Sequence, residues 1–172
     1  MAIQKNNIGY RIVKSSNLII ESFCNEITAS DLINNKLRII NNKDFDKNYS
    51  FLLDFRNADL KISHNDIPIL VSTLKEFPVL QSNRRIAYLT NKPNEVVLTT
   101  LFSIAAKDIP IKPQIFSTIE AVINYLGLYT LNKEELESII KEVSISISWY
   151  YSIFYTSHGR YPGSNNTYKS FI

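Results

Sequence analysis

Ser63, His64 and Asp66 supply the residue types of a hydrolase triad within one short segment. A working triad needs side chains that converge from separated segments, with the base oriented by a third group. Side chains that follow one another on a single turn diverge, so this segment predicts a solvated loop instead of a nucleophile beside its base. We therefore expect no catalytic residue here and interpret the chain as a non-enzymatic protein.

Asp54 and Arg56 are the next candidates, because they stand at the end of an apolar run, residues 50–55, that is typical of a strand covered on both faces. Open α/β sheets usually bind ligands beyond the carboxyl ends of their strands, so Arg56 could hold an anion there. Alternatively, Asp54 accepts backbone hydrogen bonds from the loop that follows, as buried carboxylates commonly do. The sequence leaves both interpretations open.

Composition argues against a metal centre, a cofactor and a nucleic-acid partner. Cys24, His64 and His158 are the only thiol and imidazole groups, so zinc ribbons, three-histidine sites and iron–sulfur clusters are excluded by count. The net charge of +3 over 172 residues is too small to drive nucleic-acid binding. The basic pair Arg84 and Arg85 is weak evidence for such a partner, because no aromatic residues are interleaved with it.

Strands and helices alternate over residues 8–127. The alternating apolar residues of 8–12 and the run 18–23 predict a β-hairpin, and three later apolar runs, 50–55, 86–90 and 114–116, predict further strands. Helical spacing predicts helices over about 28–42, 66–77, 95–107 and 117–127. The order β-β-α-β-α-β-α-β-α predicts an α/β fold with a mixed, largely parallel sheet of four to five strands.

Three of these helices carry further expectations. In the first, Thr28 and Asp31 are spaced as a capping box, and Ile33, Leu37 and Ile40 form its apolar stripe. The last helix is expected to begin with a capping box, Ser117 to Glu120, and to end at Gly127. The helix over 95–107, which contains Leu101 and Phe102, has no wide polar face. We expect burial on several sides, with a covered partner or ligand as the alternative.

Three segments together carry a family resemblance: Phe51–Arg56, Arg85–Thr90 and Phe116–Gly127. In their order and spacing they resemble the SpoIIAA-like branch of the STAS superfamily, found in anti-sigma-factor antagonists and sulfate-transporter tails, over residues 8–128. The resemblance implies a bacterial regulatory or protein-interaction module that is usually not an enzyme. Some relatives also look like lipid-carrying CRAL-TRIO domains.

Regulatory members of this family carry a phosphorylatable Ser in an Asp-Ser-Ser-Gly type motif. The corresponding stretch here is Ile62 to Asn65, in which Ser63 alone matches the motif. Because the other motif residues are absent, we favour Ser63 as a helix cap and keep phosphorylation as the alternative.

The domain is expected to span residues 1–128. Residues 129–158 are expected to form a carboxyl-terminal extension of it. A helix is predicted from near Asn132, and the alternation over 143–149 leaves a strand as the alternative to one long helix over about 133–157. Four aromatic residues of this segment could dock on the domain or form an apolar interaction surface: Trp149, Tyr151, Phe154 and Tyr155. Residues 159–172 are expected to be a flexible tail.

Two functions follow as hypotheses. The first is a STAS-like regulatory or interaction module that binds another protein or a second copy of itself, through Leu101 and Phe102 or through the aromatic segment. The second is the binding or carrying of a small amphiphile, because a helix without a polar face could line an apolar pocket. No run approaches the roughly 20 apolar residues of a membrane span, and residues 1–10 resemble no secretory signal, so we expect a cytoplasmic location without a transmembrane segment.

Overall fold

The computed structural model describes residues 7–157, with side chains through residue 146. Its strands and helices, in chain order, are β1 (Ile8–Val13), β2 (Leu18–Ile27), α1 (Ala29–Ile40), β3 (Ser50–Leu60), α2 (Ile67–Glu76), β4 (Arg84–Leu89), α3 (Pro93–Ala105), β5 (Ile111–Phe116), α4 (Ile119–Leu126) and α5 (Lys133–Ser157).

The sheet has five strands in the order β1-β2-β3-β4-β5. Strands β1 and β2 pair antiparallel, and the three remaining pairs are parallel. The predicted α/β class, with a largely parallel sheet and an amino-terminal hairpin, is therefore confirmed.

Helices cover both faces of the sheet. Side chains alternate between the two sides along each strand, and both sides are apolar. Leu53 and Phe55 of β3 pack with Ile39 of α1 and Leu98 of α3 on one face. Leu52 of β3 belongs to the other face, where the apolar cluster includes residues of α4 and α5. Helix α2 lies against α3. The two faces thus have different neighbours, and the site described below lies on the α1–α3 face.

Caps fix where the first and last core helices begin. Thr28 accepts from the Asp31 backbone N–H at 3.2 Å and donates its own N–H to the Asp31 carboxylate at 2.9 Å, so the predicted capping box is present. The predicted cap of α4 is wrong by one residue, because Thr118, not Ser117, accepts from the Ala121 N–H at 3.3 Å. With Thr118 as the cap, Glu120 lies in the first turn of the helix but one residue before the capping-box position, which Ala121 occupies.

Helix α5 is one continuous helix, so the alternative of a strand over 143–149 is wrong. Asn132 caps it by accepting from the Glu135 backbone N–H at 2.8 Å. Leu136 and Ile140 are buried against the sheet, and so the first half of the predicted extension shares the core of the domain. Trp149, Tyr151, Phe154 and Tyr155 fall on the helix backbone after residue 148, but their side chains lie outside the described residues, as does the predicted tail over 159–172.

No helix within residues 7–157 is both long enough and apolar enough to cross a membrane.

Candidate functional site

A cavity of about 90 Å³ lies between helices α1, α2 and α3 and the sheet face beneath them. Most of its walls are apolar side chains, contributed by all three helices and by strands β3 and β4. Four residues of the wall have side chains with a polar atom: Lys36, Thr73, Tyr88 and Thr99. The Thr73 and Thr99 hydroxyls donate to the backbone carbonyls of Ile69 and Glu95, at 2.9 and 2.7 Å. The lining surface itself is almost wholly apolar, so the polar atoms of these residues scarcely reach it.

The register of the sheet places Glu21, Leu53 and Tyr88 side by side on β2, β3 and β4. Residues in register on neighbouring strands share a face, so all three side chains point to the α1–α3 side. Aromatic rings continue this surface, since Phe55 stacks on Tyr88 at 6.1 Å and Phe102 meets Tyr88 edge-on at 6.5 Å between ring centroids. The cavity floor is therefore aromatic, and Glu21 lies next in the row but is not among the residues that line the cavity.

Glu21 is fully buried and is held by two side chains of helix α1. Asn35 donates its amide to Glu21 at 2.6 Å, and Lys36 forms an ion pair with the other carboxylate oxygen. Burial lowers the pKa of Lys36, while the attraction of Glu21 opposes that shift. The residues of the apolar stripe expected on α1, Ile33, Leu37 and Ile40, are partly buried, and the fully buried positions of the helix are Asn35 and Ile39, so α1 also turns a polar group inward.

Arg84 is a second buried cation near this pair. Its guanidinium carbon lies 5.1 Å from the centroid of the Phe51 ring, and the Lys36 ammonium lies 4.2 Å from the same centroid. Arg84 donates to the Ser82 hydroxyl at 2.6 Å and the Val79 carbonyl at 2.8 Å, but its Nη1 has no hydrogen-bond partner within the described residues. Burial lowers the pKa of Arg84 to about 10.

Helix α3 divides into two sides, and the expectation that it is buried on several sides is wrong. Phe102 faces inward and lines the cavity, together with Leu98. Val97, Leu101 and Ile104 point outward and are 56, 41 and 62% exposed. The physical reason is that the larger contacts of α3 are with the sheet and with α2, which leaves the outer side of the helix open to solvent. Of the two α3 residues expected at an interaction surface, only Leu101 is on the exposed side.

A polar cleft lies on the opposite face of the sheet, where Arg56 joins two carboxylates. Its Nε and Nη2 donate to Asp54 at 2.9 Å each, and its Nη1 and Nη2 donate to Glu137 of α5 at 2.9 and 3.1 Å. The hydrogen bonds to Asp54, together with those to Glu137, raise the pKa of Arg56 despite its burial. The guanidinium therefore fastens α5 to the sheet.

Asp54 and Arg56 are inside strand β3 and not at its end, which corrects the expected position. Strand β3 continues to Leu60 because β2 pairs with its second half as well, whereas β4 stops at Leu89 opposite Asp54. Asp54 also accepts the backbone N–H of Arg56 at 3.1 Å, as the local interpretation expects. Binding of an anion by Arg56 stays a prediction, and four donor contacts of the guanidinium already go to carboxylates.

Ser63 precedes a short 3₁₀ turn, residues 64–66, that leads into α2. Its backbone N–H and its hydroxyl both donate to the Asp66 carboxylate at 2.7 Å. These hydrogen bonds, the backbone one first, lower the pKa of Asp66. A phosphate on Ser63 would lie beside this negative charge, so the local electrostatics favour the capping role, and phosphorylation stays a prediction.

A pocket lined by α3 is expected from the sequence, but the buried pairing of Glu21 with Asn35 and Lys36 is not, because these residues come from separate elements, β2 and α1. The available signals were faint: a lysine and an asparagine on the inner side of α1, and a glutamate within the apolar run of β2. Buried charges are usually paired, so a glutamate in such a run signals a partner elsewhere in the chain.

No protein-family model matches the chain, and no curated protein matches it. Among solved structures, it is similar to an uncharacterized protein of the DUF3478 family with a SpoIIAA-like fold from Shewanella loihica. The TM-score is 0.46 and the identity 16%, with 73% of this chain and 98% of that chain covered. The likeness concerns the fold, and the function proposed below stands on this chain's own geometry.

Proposed function

We propose that this protein is a non-enzymatic, cytoplasmic binding module that takes a small amphiphile into the cavity beneath α1, α2 and α3. The cavity itself carries the proposal. Protein interiors are close-packed, and voids much larger than a water molecule are few. A hollow of about 90 Å³ exceeds the roughly 10–15 Å³ that one water needs, and its apolar walls offer water few partners.

The shape of the site also fits an amphiphile. Small-molecule sites are concave and mostly apolar, with a few polar groups that fix the orientation of the ligand. Here the wall is almost wholly apolar, and leucines of α2 and α3 contribute to it. The alkyl chain of an amphiphile would bury against these leucines, which stabilises binding by about 0.8 kcal/mol per methylene.

The test is calorimetric titration of the protein with 1-octanol, accompanied by native mass spectrometry of gently purified protein to detect a retained ligand. Leu74→Phe enlarges a side chain of the cavity wall and is expected to weaken octanol binding at least about tenfold, since roughly 1.4 kcal/mol of lost contact is enough for that. Leu101→Phe adds the same volume on the exposed side of α3 and is expected to leave binding unchanged.

Two results would contradict the proposal. One is the absence of octanol binding to the unmodified chain. The other is equal binding by the Leu74→Phe and Leu101→Phe proteins, provided that thermal unfolding shows both to be folded.

The exposed side of α3 favours a second candidate, a protein-interaction module. Val97, Leu101 and Ile104 lie on successive turns of α3 and are all exposed. Exposed apolar side chains that cluster in this way are typical of interaction surfaces. If the partner is a second copy of the chain, sedimentation velocity should show a dimer that Leu101→Asp converts to a monomer with an unchanged thermal midpoint. A chain that is monomeric at high concentration would contradict the dimer.

A further inference from the structure

We infer that the polar cleft between β3 and α5 is a second binding site, which takes a small zwitterion of the kind that a free amino acid is. The carboxylate of this ligand lies against Lys141, and its ammonium group lies against Glu137. The cleft and the cavity beneath α1, α2 and α3 are on opposite faces of the sheet, so each of the two sites can be tested without the other.

The cleft has the size and the lining of a site for a small polar molecule. Its volume is about 320 Å³, at the lower end of the range of roughly 300–1,000 Å³ that small-molecule sites occupy. Polar atoms form the larger part of its lining surface, in contrast to the cavity on the other face. The residues with polar or charged side chains that line it are Asp54, Arg56, Asn57, Glu137, Lys141 and Ser144.

Arg56 forms a fixed part of the wall, and Glu137 beside it can still accept hydrogen bonds. Asp54 and Glu137 both accept from the Arg56 guanidinium at 2.9–3.1 Å, so the three side chains are held in place before a ligand binds, which favours affinity. Each carboxylate oxygen of Glu137 accepts one of these hydrogen bonds, and the side chain is 38% exposed. Because a carboxylate oxygen can accept more than one hydrogen bond, Glu137 can also bind an ammonium group.

Lys141 supplies the opposite charge. It follows Glu137 by four residues on α5, the spacing at which a glutamate and a lysine favour an ion pair on a helix. Glu137 pairs with Arg56 instead, and Lys141 has no ion pair with any residue whose side chain the structure describes. The Lys141 ammonium is therefore available to the carboxylate of a ligand. Asn57 adds an amide to the same wall, which can donate or accept a hydrogen bond.

The balance of charge in the lining favours a zwitterion over a simple ion. Two carboxylates, Asp54 and Glu137, and two cations, Arg56 and Lys141, line the cleft, so its formal charge is zero. A simple anion would meet the carboxylates, and a simple cation would meet the guanidinium and the ammonium. Contacts between like charges are unfavourable, whereas a zwitterion can place each of its charges beside the opposite one.

The test compares three probes of nearly the same shape: L-glutamine, 4-carbamoylbutanoate, which lacks its ammonium group, and 4-aminobutanamide, which lacks its carboxylate. Chemical-shift titration of the isotope-labelled full chain at neutral pH measures the affinities and locates the site. L-Glutamine is expected to shift the amide signals of Asn57, Lys141 and Ser144 and to leave those of Leu74 and Leu98 unchanged. It should bind about fivefold more tightly than either analogue, because an exposed ion pair contributes up to about that factor.

Two variants assign the charges of the ligand to side chains. Lys141→Met removes the ammonium, so L-glutamine affinity should fall about fivefold while that of 4-aminobutanamide stays the same. Glu137→Gln keeps an acceptor for Arg56 and removes the charge, so L-glutamine should then bind no more tightly than 4-carbamoylbutanoate. Lys133→Met is the matched control, because Lys133 is on the same helix but pairs with Glu120 and does not line the cleft; no affinity should change.

Three results would overturn the site as we describe it. If L-glutamine leaves the signals of the cleft unchanged, the site is absent. If either analogue binds as tightly as L-glutamine, the ligand is not a zwitterion. If Lys141→Met binds L-glutamine as tightly as Lys133→Met does, with both proteins folded by thermal unfolding, the carboxylate does not lie against Lys141.

Discussion

Arg56 and Arg11 both tie the sheet to helix α5, but their surroundings differ. Arg56 pairs with the buried Asp54 as well as with Glu137, whereas Arg11 pairs with Glu142 where the two side chains are 49 and 61% exposed. Replacing Arg56 by Met leaves the Asp54 carboxylate buried without its cation. We expect the free energy of unfolding to fall by about 3 kcal/mol, as when one partner of a buried pair is removed.

Arg11→Met is the matched control for that change, because exposed ion pairs contribute at most about 1 kcal/mol. Urea denaturation of the two variants measures both effects. Equal losses of stability in the two variants would contradict the prediction that the burial of Asp54 makes the Arg56 ion pair the more important one.

Cys24 offers a pH-dependent prediction at the same scale. Burial raises the pKa of its thiol above the ordinary 9.0. Because the thiolate is the reactive form, alkylation by iodoacetamide should reach its half-maximal rate at a higher pH in the folded chain than in the urea-unfolded chain. By linkage, the thiol contribution to stability is present below pH 9 and is lost as the pH rises above it. Identical pH–rate profiles would contradict the shift.

At the scale of the element, Gly127 decides how helix α4 ends. Its φ of 73° lies in the left-handed region, and a Cβ there would meet the Arg85 side chain no closer than 3.4 Å. Space is therefore sufficient, and the penalty of a substitution is conformational. Gly127→Ala should lower the free energy of unfolding by about 1–2 kcal/mol. Gly127→Asn should lower it less, because Asn tolerates this conformation better, and thermal denaturation of both variants compares them.

The ends of helices are predicted well where a local residue pattern is typical of a helix end. The Thr28–Asp31 spacing is typical of a helix start, and Gly127 is typical of a helix end. The apolar run predicts too short a strand β3, because Arg56 and Asn57 are polar and the continuation of the strand depends on pairing with β2. These are tertiary effects, which no local window of sequence contains.

The candidate site shows the same limit more strongly. The apolar residues of α3 predicted burial, but both of its sides are apolar, so the sequence could not say that Phe102 turns inward and Leu101 outward. On α1, Asn35 and Lys36 turn toward the sheet and pair with Glu21. Because Glu21 belongs to β2, the apolar periodicity of α1 alone does not predict which side of the helix faces the sheet.

At the scale of the whole molecule, helix α5 should be indispensable for the fold. Leu136 and Ile140 are almost fully buried, and Val143 is buried one turn later. A chain ending at residue 131 would expose the apolar sheet face that they cover, so we expect it to lose cooperative thermal unfolding. A chain ending at residue 157 is the control and should keep the transition of the full chain, in line with the predicted flexible tail. A cooperative transition in the shorter chain would contradict this role.

The strand order has a consequence for how the chain acquires its structure in time. Each strand pairs with the one before it, so the sheet can grow in the order in which the ribosome releases it, whereas α5 must travel back over β1 and β2. We expect α5 to dock after the rate-limiting barrier. In stopped-flow experiments Leu136→Ala should then accelerate unfolding and leave the folding rate nearly unchanged, whereas Leu52→Ala, between β2 and β4, should slow folding. Until α5 arrives, one face of a finished sheet is open to chaperones or to other nascent chains, and the risk of aggregation is greatest in this interval.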